Sequence, residues 1–479
     1  MSDMPLWTLD ALVAATRGRV IGAPAKAITG ISIDSRTIKE GEAFFAIKGD
    51  RVDGHDYAAK ALAGGAGVAV IAEAKLGKMP KDVPLLVVSD VLEALRALAR
   101  AARARSSAKI IAVTGSVGKT GTKEALRLVL TREGETHAST ASYNNHWGVP
   151  LSLARLPASA RFGVFELGMN HAGELTPLSQ LVRPDVALVT TIEPVHIEYF
   201  ANIEAVADAK AEIFSGVVPG GAAVLNCDNS QFDRLASAAR AASITNIIGF
   251  GEHKRAEARL IDVALKPDCS AVRASILGDE IAYKVGTPGR HLVQNSLGVL
   301  ATAKLVGADL ALVALALARL QPPTGRGQHI KLNLGIGEAL LIDESYNANP
   351  ASMRAAIDVL AQTPVGPRGR RIAVLGDMLE LGKEAVALHR DLVKVIAAAK
   401  IDIVFCAGPL MKDLWDALPA ARRGGYADSA SRIEAEVFAA LRPGDAIMIK
   451  GSNDSRMHTI VASLVNRFRT REPAEDATA

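Results

Sequence analysis

Ten residues, Thr114-Gly-Ser-Val-Gly-Lys-Thr-Gly-Thr-Lys123, place a lysine and a threonine directly behind a turn with two closely spaced glycines. That pattern suits polyphosphate binding. Gly115 and Gly118 let the backbone turn tightly, so that the N–H groups around Ser116 and Val117 can point at one anion. Lys119 would reach the outer phosphates, and the Thr120 hydroxyl would hold Mg²⁺. The common pattern G-x-x-x-x-G-K-[ST] would put its first glycine at position 113, where this chain has Val113; here the spacing is G-x-x-G-K-T. The plain alternative is a glycine turn between an ordinary strand and helix.

Other polar residues stand at the ends of apolar runs. Glu166, in Phe165-Glu-Leu-Gly-Met-Asn170, could ligate Mg²⁺ or orient a water if it lies beside the loop, and is otherwise a solvated strand-end acid. His196, in Glu193-Pro-Val-His-Ile-Glu198, could ligate a metal or act as a base near neutral pH, or be a satisfied loop histidine. Lys210, in the helical segment Asp208–Phe214, reads by itself as a surface lysine. In Asp343-Glu-Ser-Tyr-Asn-Ala-Asn349-Pro350, Asn349 can cap a helix that has Pro350 at its first position. Capping leaves the Asp-Tyr-Asn cluster unexplained. With Gly376-Asp-Met-Leu-Glu380 and Lys450-Gly-Ser-Asn453 also ending apolar runs, a second polar crevice is expected.

The elements that must position these residues alternate. Strands are read at Ile110–Thr114, Phe162–Leu167, Val186–Thr191, Ala222–Asn226 and Asn246–Phe250. A helix is read from Lys119, with Leu126, Val129 and Leu130 on one face. Such alternation argues an α/β fold with a parallel sheet, whose ligands bind at the carboxyl ends of the strands. Arg259–Val285 alternates apolar and polar residues with turn signals, and is read as small antiparallel ribbons. Pro322-Pro-Thr-Gly-Arg-Gly327 reads as a hinge, followed by a second α/β unit with strands at Ala339–Asp343, Ile372–Leu375, Ile403–Ala407 and Ala446–Ile449. Ahead of the glycine turn, short strands (Glu42–Lys48, Val68–Ala72) mix with helices (Thr8–Thr16, Tyr57–Gly64, Val91–Arg105).

The whole chain sets bounds. Its 479 residues suit about three domains. Hydrophobic residues make up 49% but aromatics only 4%, so the cores rest on aliphatic side chains. A formal charge of +4 gives no argument for nucleic acid, and the basic run Arg96–Arg105 reads as a solvated helix face. Three scattered cysteines fit a reducing cytosol. No signal peptide and no transmembrane run are read.

Taken in order, these segments resemble the Mur ligases, ATP-dependent amide-forming enzymes of bacterial cell-wall precursor synthesis, over nearly the whole chain. The close glycine spacing of Thr114–Thr120 is that family's form, which accounts for Val113. Tyr143-Asn-Asn-His-Trp-Gly-Val-Pro150, Glu166–Asn170, His196 through Lys210-Ala-Glu-Ile213, Gly289-Arg-His-Leu-Val-Gln-Asn295 and Gly325-Arg326 also match. Asp343–Pro350, Gly376-Asp-Met-Leu-Glu-Leu-Gly382 and Lys450-Gly-Ser452 resemble the branch that adds the terminal dipeptide; the Asp-Asn-Pro-Arg signature of the diaminopimelate-adding branch is absent.

The resemblance implies a small α/β N-terminal domain (1–106), a central P-loop ATPase domain (107–324) and a C-terminal Rossmann-like domain (325–479). It implies a cytoplasmic, monomeric ADP-forming ligase that joins D-alanyl-D-alanine to UDP-N-acetylmuramoyl-tripeptide through an acyl phosphate. Lys119 and Thr120 would meet the ATP phosphates and Mg²⁺, Glu166 would help hold Mg²⁺, and His196 a second metal. Lys210 would be carbamylated to N6-carboxylysine and support a metal, against its plain reading. His291 and Asn295 would lie by the adenine, with Arg326 and Asp343 by the nucleotide. Ser35, Arg36, Lys48, Asp53 and His55 would hold the UDP end; Asn144, Tyr346, Asn347 and Asn349 complete the implied substrate contacts. Gly121 departs from relatives that carry Ser or Thr there, so a hydroxyl contact would be missing. Folate-type and diaminopimelate-adding ligases, and a P-loop switch without ligase chemistry, are the competing readings.

Overall fold

The computed structural model describes residues 5–49, 52–140, 142–194 and 197–468. They build three large sheets and one two-stranded ribbon, in which Trp7–Thr8 pairs antiparallel with Ala27–Ile28.

The central sheet has nine strands. Lys109–Thr114 lies inside it, between Phe162–Glu166 and Val186–Val189 and parallel to both. The register sets Glu166 opposite Val113 and Val189 opposite Thr114, so three strand ends finish side by side. The strand is apolar on both faces because helices cover both. Ile111 and Val113 pack with Leu126, Val129 and Leu130 of the helix Lys119–Leu130. Ile110 and Ala112 pack with Leu153 and Leu178 on the other side. From the strand Lys109–Thr114 the chain goes to Thr136–Ala138 and back to Phe162–Glu166 on one side, then crosses to Val186–Val189 and Ala222–Asn226 on the other. This is the switch point at which α/β sheets open a crevice.

The segment Arg259–Val285 corrects one expectation. Its strands Ala258–Leu265, Ser270–Ile276 and Asp279–Val285 are antiparallel to one another, but they extend the main sheet. The link is a short parallel pairing of Phe250 and Gly251 with Ala258 and Arg259. Alternating polarity reflects a sheet covered on one face only: Val272, Ala274 and Ile276 enter the core under the helix Arg290–Leu305.

The first sheet has five strands, with Arg19–Ile21 antiparallel at the edge and the others parallel. The expected strand Glu42–Lys48 shortens to Ala43–Phe45, since Ile47 N–H turns back to Phe45 O (2.9 Å). The helix Val91–Arg105 leads out, capped at its start by the Asp90 carboxylate.

The basic run on that helix is not simply a solvated face. Arg103 donates to Val182 O and Arg183 O, capping the helix Leu175–Val182. Arg105 donates to Leu6 O and Leu156 O and lies 3.4 Å over the Trp7 ring, whose indole N–H donates to Ala154 O. These contacts, with Leu151 and Ala154 packed into the first sheet's core, join the first two units into one body.

The third sheet has six strands, five of them parallel, flanked by helices on both faces. Its edge strand Gln328–Asn333, antiparallel to Glu338–Glu344, was not read from the sequence, because it follows the expected hinge directly. The hinge itself is pinned: Arg326 N–H donates to Pro323 O and Gly325 N–H to the Asp343 carboxylate. Among the described residues, no helix is long and apolar enough to cross a membrane. All three cysteines are free and buried.

Candidate active site

The glycine turn is held from below by the strand ends. Gly115 has φ +143° and Gly118 φ +86°, values that side chains oppose. A Cβ on Gly115 would stand 2.0 Å from Thr190 Oγ1, and one on Gly118 would stand 2.8 Å from Asn295 Nδ2. Thr190 donates its hydroxyl to Val117 O (2.5 Å). Ser116 exchanges two bonds with Glu193: its hydroxyl donates to Glu193 O (3.0 Å) and accepts from Glu193 N–H (2.9 Å). Thr190 and Glu193 thus brace the turn from the neighbouring strand end and the loop after it.

Lys119 folds over the turn, its ammonium donating to Gly115 O (2.7 Å) and more weakly to Ser116 O (3.4 Å). Burial lowers its pKa, the Glu166 carboxylate opposes that shift, and the Arg326 charge adds to it. Thr120, one position on, donates its hydroxyl to Glu166 Oε2 (2.9 Å). Asn144 Nδ2 donates to Glu166 Oε1 (2.8 Å), and Ser142 Oγ lies 3.5 Å from Thr120 Oγ1. Glu166 is 1% exposed, so the solvated strand-end reading fails. Nothing would lie within 4 Å of a Cβ at Gly121.

Lys210 corrects the surface reading. It sits near the end of the helix Ile203–Ala211, 2% exposed, with no hydrogen bond from its ammonium among the described residues. Desolvation, then the nearby Lys119 charge, lowers its pKa well below the ordinary lysine value. His196 lies outside the described residues.

His291 and Asn295 stand one turn apart at the start of the helix Arg290–Leu305. Asn295 borders the glycine turn at Gly118; His291 is exposed beside Gly289. Arg326 lies over the Tyr346 ring (4.0 Å), within electrostatic reach of both Lys119 and Lys450. Asp343 is 3% exposed, and its carboxylate accepts from Gly325 N–H, Ser345 N–H and Ser345 Oγ–H. It fixes the segment that carries Arg326. Asn349 caps the helix Pro350–Gln362 in a reciprocal box with Ser352, while Tyr346 and Asn347 are exposed beside it.

In the first unit, Arg36 is exposed and paired two-fold with Asp34, which holds that carboxylate's pKa down. Its charge reaches Tyr143, next to Asn144, and Ser35 is half-buried beside it. Asp53 and His55 turn inward. His55 Nε2 accepts from Ala72 N–H, so Nδ1 carries the proton and donates to Asp53 Oδ1 (2.6 Å). Lys75 takes the other oxygen (2.7 Å), and Lys48 bridges to Asp53 through the backbone. These side chains shape the loop.

Two supports escaped the sequence reading. Thr190 is a strand-end threonine like many others, with no local signal. Lys123 is wholly buried and donates to Ser139 O (2.8 Å), although its type suggested solvent; its position one turn after Thr120, on the same helix face, was the available clue.

Comparison with known proteins agrees with this geometry. Residues 113–303 match the Mur ligase middle domain, 325–453 the Mur ligase glutamate ligase domain, and 27–103 the catalytic domain of the Mur ligase family. The UDP-N-acetylmuramoyl-tripeptide–D-alanyl-D-alanine ligase of Rickettsia prowazekii is 33% identical over 90% of this chain and 94% of its own length. The Escherichia coli protein of the same name is 34% identical over 95% and 98%. A crystal structure of MurF from Acinetobacter baumannii superposes with a TM-score of 0.83 at 30% identity, covering 97% of this chain and all of that one.

Proposed function

The chain belongs to the Mur ligase family, and from that premise we propose that it joins D-alanyl-D-alanine to UDP-N-acetylmuramoyl-tripeptide, with ATP cleaved to ADP and phosphate. The observation that carries this reading is the turn Gly115–Thr120, braced by Thr190, with the Thr120–Glu166 pair at its end and the Arg326 charge acting on Lys119. In this reading residues 1–106 hold the UDP end, 107–324 hold ATP, and 325–479 deliver the dipeptide. The enzyme works as a monomer in the cytoplasm.

A carboxylate is a poor acyl donor, because oxide cannot leave. Transfer of the γ-phosphoryl group to the tripeptide's terminal carboxylate makes an acyl phosphate. The dipeptide amine attacks its carbonyl carbon, the C–O bond to phosphate breaks, and the amide forms with loss of a proton. Lys119 swings its ammonium from the Gly115 and Ser116 carbonyls toward the transferred group, whose spreading charge it offsets. Arg326 and Asn295 close the nucleotide side, and exclusion of water protects the acyl phosphate from hydrolysis.

The donor set fits Mg²⁺: a buried carboxylate and a hydroxyl, both hard oxygens, beside a phosphate turn. Thr120 and Glu166 would hold the ion, whose contribution there is neutralising charge on the phosphate oxygens. Lys210 as an ammonium would repel a cation. Its burial favours the neutral amine, the form that adds to CO₂, so N6-carboxylysine is the state we assign to it, with His196 as a further ligand.

The test is phosphate release by purified enzyme, with UDP-N-acetylmuramoyl-tripeptides carrying either diaminopimelate or lysine, screened against D-alanyl-D-alanine, glutamate, diaminopimelate and no acceptor. Release independent of acceptor would contradict ligation. For Lys210, a carbamate carbon signal in NMR after equilibration with ¹³C-bicarbonate, lost in Lys210→Arg, is the expected result.

A further inference from the structure

The Lys450-Gly-Ser452 turn belongs to the third sheet, apart from the glycine turn of the central one. Lys450 ends the strand Ala446–Lys450 and pairs in register with Glu344 on one side and Leu375 on the other. It is 2% exposed. Its ammonium donates to Asn347 O (2.9 Å) and meets Glu344 Oε2 at 3.3 Å. Two positions on, Ser452 Oγ donates to Ala348 O (3.3 Å) and accepts from Leu379 N–H (2.9 Å). Two successive carbonyls of one turn are thus held from the neighbouring strand's end. The rest of the turn is tied as well: Tyr346 N–H donates to Gly325 O (3.0 Å), and Asn349 N–H donates to Ser352 Oγ (3.0 Å). What stays exposed is the pair of side chains Tyr346 and Asn347, with Arg326 over the ring.

Burying an ammonium is costly, and an apolar residue would pack this position at less cost. A lysine is kept where its donors fix something that a neutral side chain would leave loose. Here that is a turn at the carboxyl end of a parallel strand, the place where such sheets bind ligands. The phosphate turn of the central sheet already accounts for ATP.

We propose that Lys450 is a positioning residue for the acceptor. Through the Asn347 carbonyl and Glu344 it clamps the Tyr346–Asn349 turn in the shape that receives the zwitterionic dipeptide, and it touches no substrate itself. This rests on the ligase reading above.

The test compares Lys450→Met with the paired variant Lys450→Met/Glu344→Gln, which leaves no lone buried carboxylate. KM is measured for D-alanyl-D-alanine and for ATP, with the unfolding midpoint alongside. The expected result is a rise of at least about tenfold in dipeptide KM in both variants, with ATP KM within about threefold of wild type. Lys450→Gln, which can still donate to Asn347 O, should fall between wild type and Lys450→Met. A dipeptide KM unchanged in a folded paired variant, or an ATP KM rising in step, overturns the proposal. So does failure of both variants to fold, since the lysine would then hold the domain rather than the turn. Wild-type turnover that needs no dipeptide overturns the parent reading and this one together; dipeptide-dependent wild type with flat variants overturns this one alone.

Discussion

Thr120 donates its hydroxyl to Glu166 Oε2 at 2.9 Å, joining the first turn of one helix to the end of the neighbouring strand. The pair holds a carboxylate and a hydroxyl together beside the glycine turn. Glu166→Gln keeps the shape and the Asn144 contact but removes the charge. Turnover should fall roughly 100-fold while the unfolding midpoint shifts by no more than a few degrees. Lys119→Ala should remove nearly all turnover; more than about a tenth of the wild-type rate would count against the phosphate assignment. Both are read by coupled phosphate release.

The glycines of the turn should respond unequally. Gly115→Ala places a methyl against Thr190 in a backbone region closed to side chains, and should raise ATP KM at least about tenfold. Gly121→Ala meets open space on a helix, and should stabilise by about 0.5 kcal/mol through better helix propensity and a less flexible unfolded chain. Kinetics check the first and calorimetry the second.

Arg105 and Trp7 join the first two units. Arg105→Ala loses the ring contact and two carbonyl partners, and should cost about 1–3 kcal/mol. Denaturant unfolding followed by tryptophan fluorescence would show it; an unchanged midpoint would mean the guanidinium adds nothing there.

His389 gives a pH signature. It is wholly buried, with Nε2 accepting from Met378 N–H (2.9 Å) and Nδ1–H donating to Ala385 O (2.6 Å), a neutral ring with both nitrogens used. Desolvation lowers its pKa, opposed by the Ala385 carbonyl and the charges of Asp377 and Asp413. A base with a lowered folded pKa binds its proton more readily in the unfolded chain. Its stabilising share is therefore present above about pH 6.5 and is lost as pH falls below that, toward the folded pKa. His137 and His329 act with the same sign. His389→Gln should flatten the fall in stability between pH 7 and pH 5.5 (roughly the histidine range) by up to about 1.4 kcal/mol per pH unit. A slope equal to wild type in denaturant titrations would refute it.

Local signals carried the reading a long way. Continuous apolar runs marked the buried parallel strands, several to the residue: Val68–Ala72, Ala222–Asn226 and Ile403–Ala407. The Gly-Lys-Thr sequence announced a turn that opens a helix at Lys119, and Asn349-Pro350 announced a helix start. Strand and helix patterns are written in neighbouring residues, because backbone periodicity and glycine freedom act over a few positions.

Tertiary structure alone decided where Lys210 went, that Arg105 would lie on Trp7 rather than in water, and that Asp343 would hold Gly325 and Ser345. It also decided that Arg259–Val285 would extend the central sheet. A lysine's charge state depends on how much water it keeps, and an arginine's partner on which carbonyls lie within reach. Those are set by segments dozens of residues away, which no local pattern records.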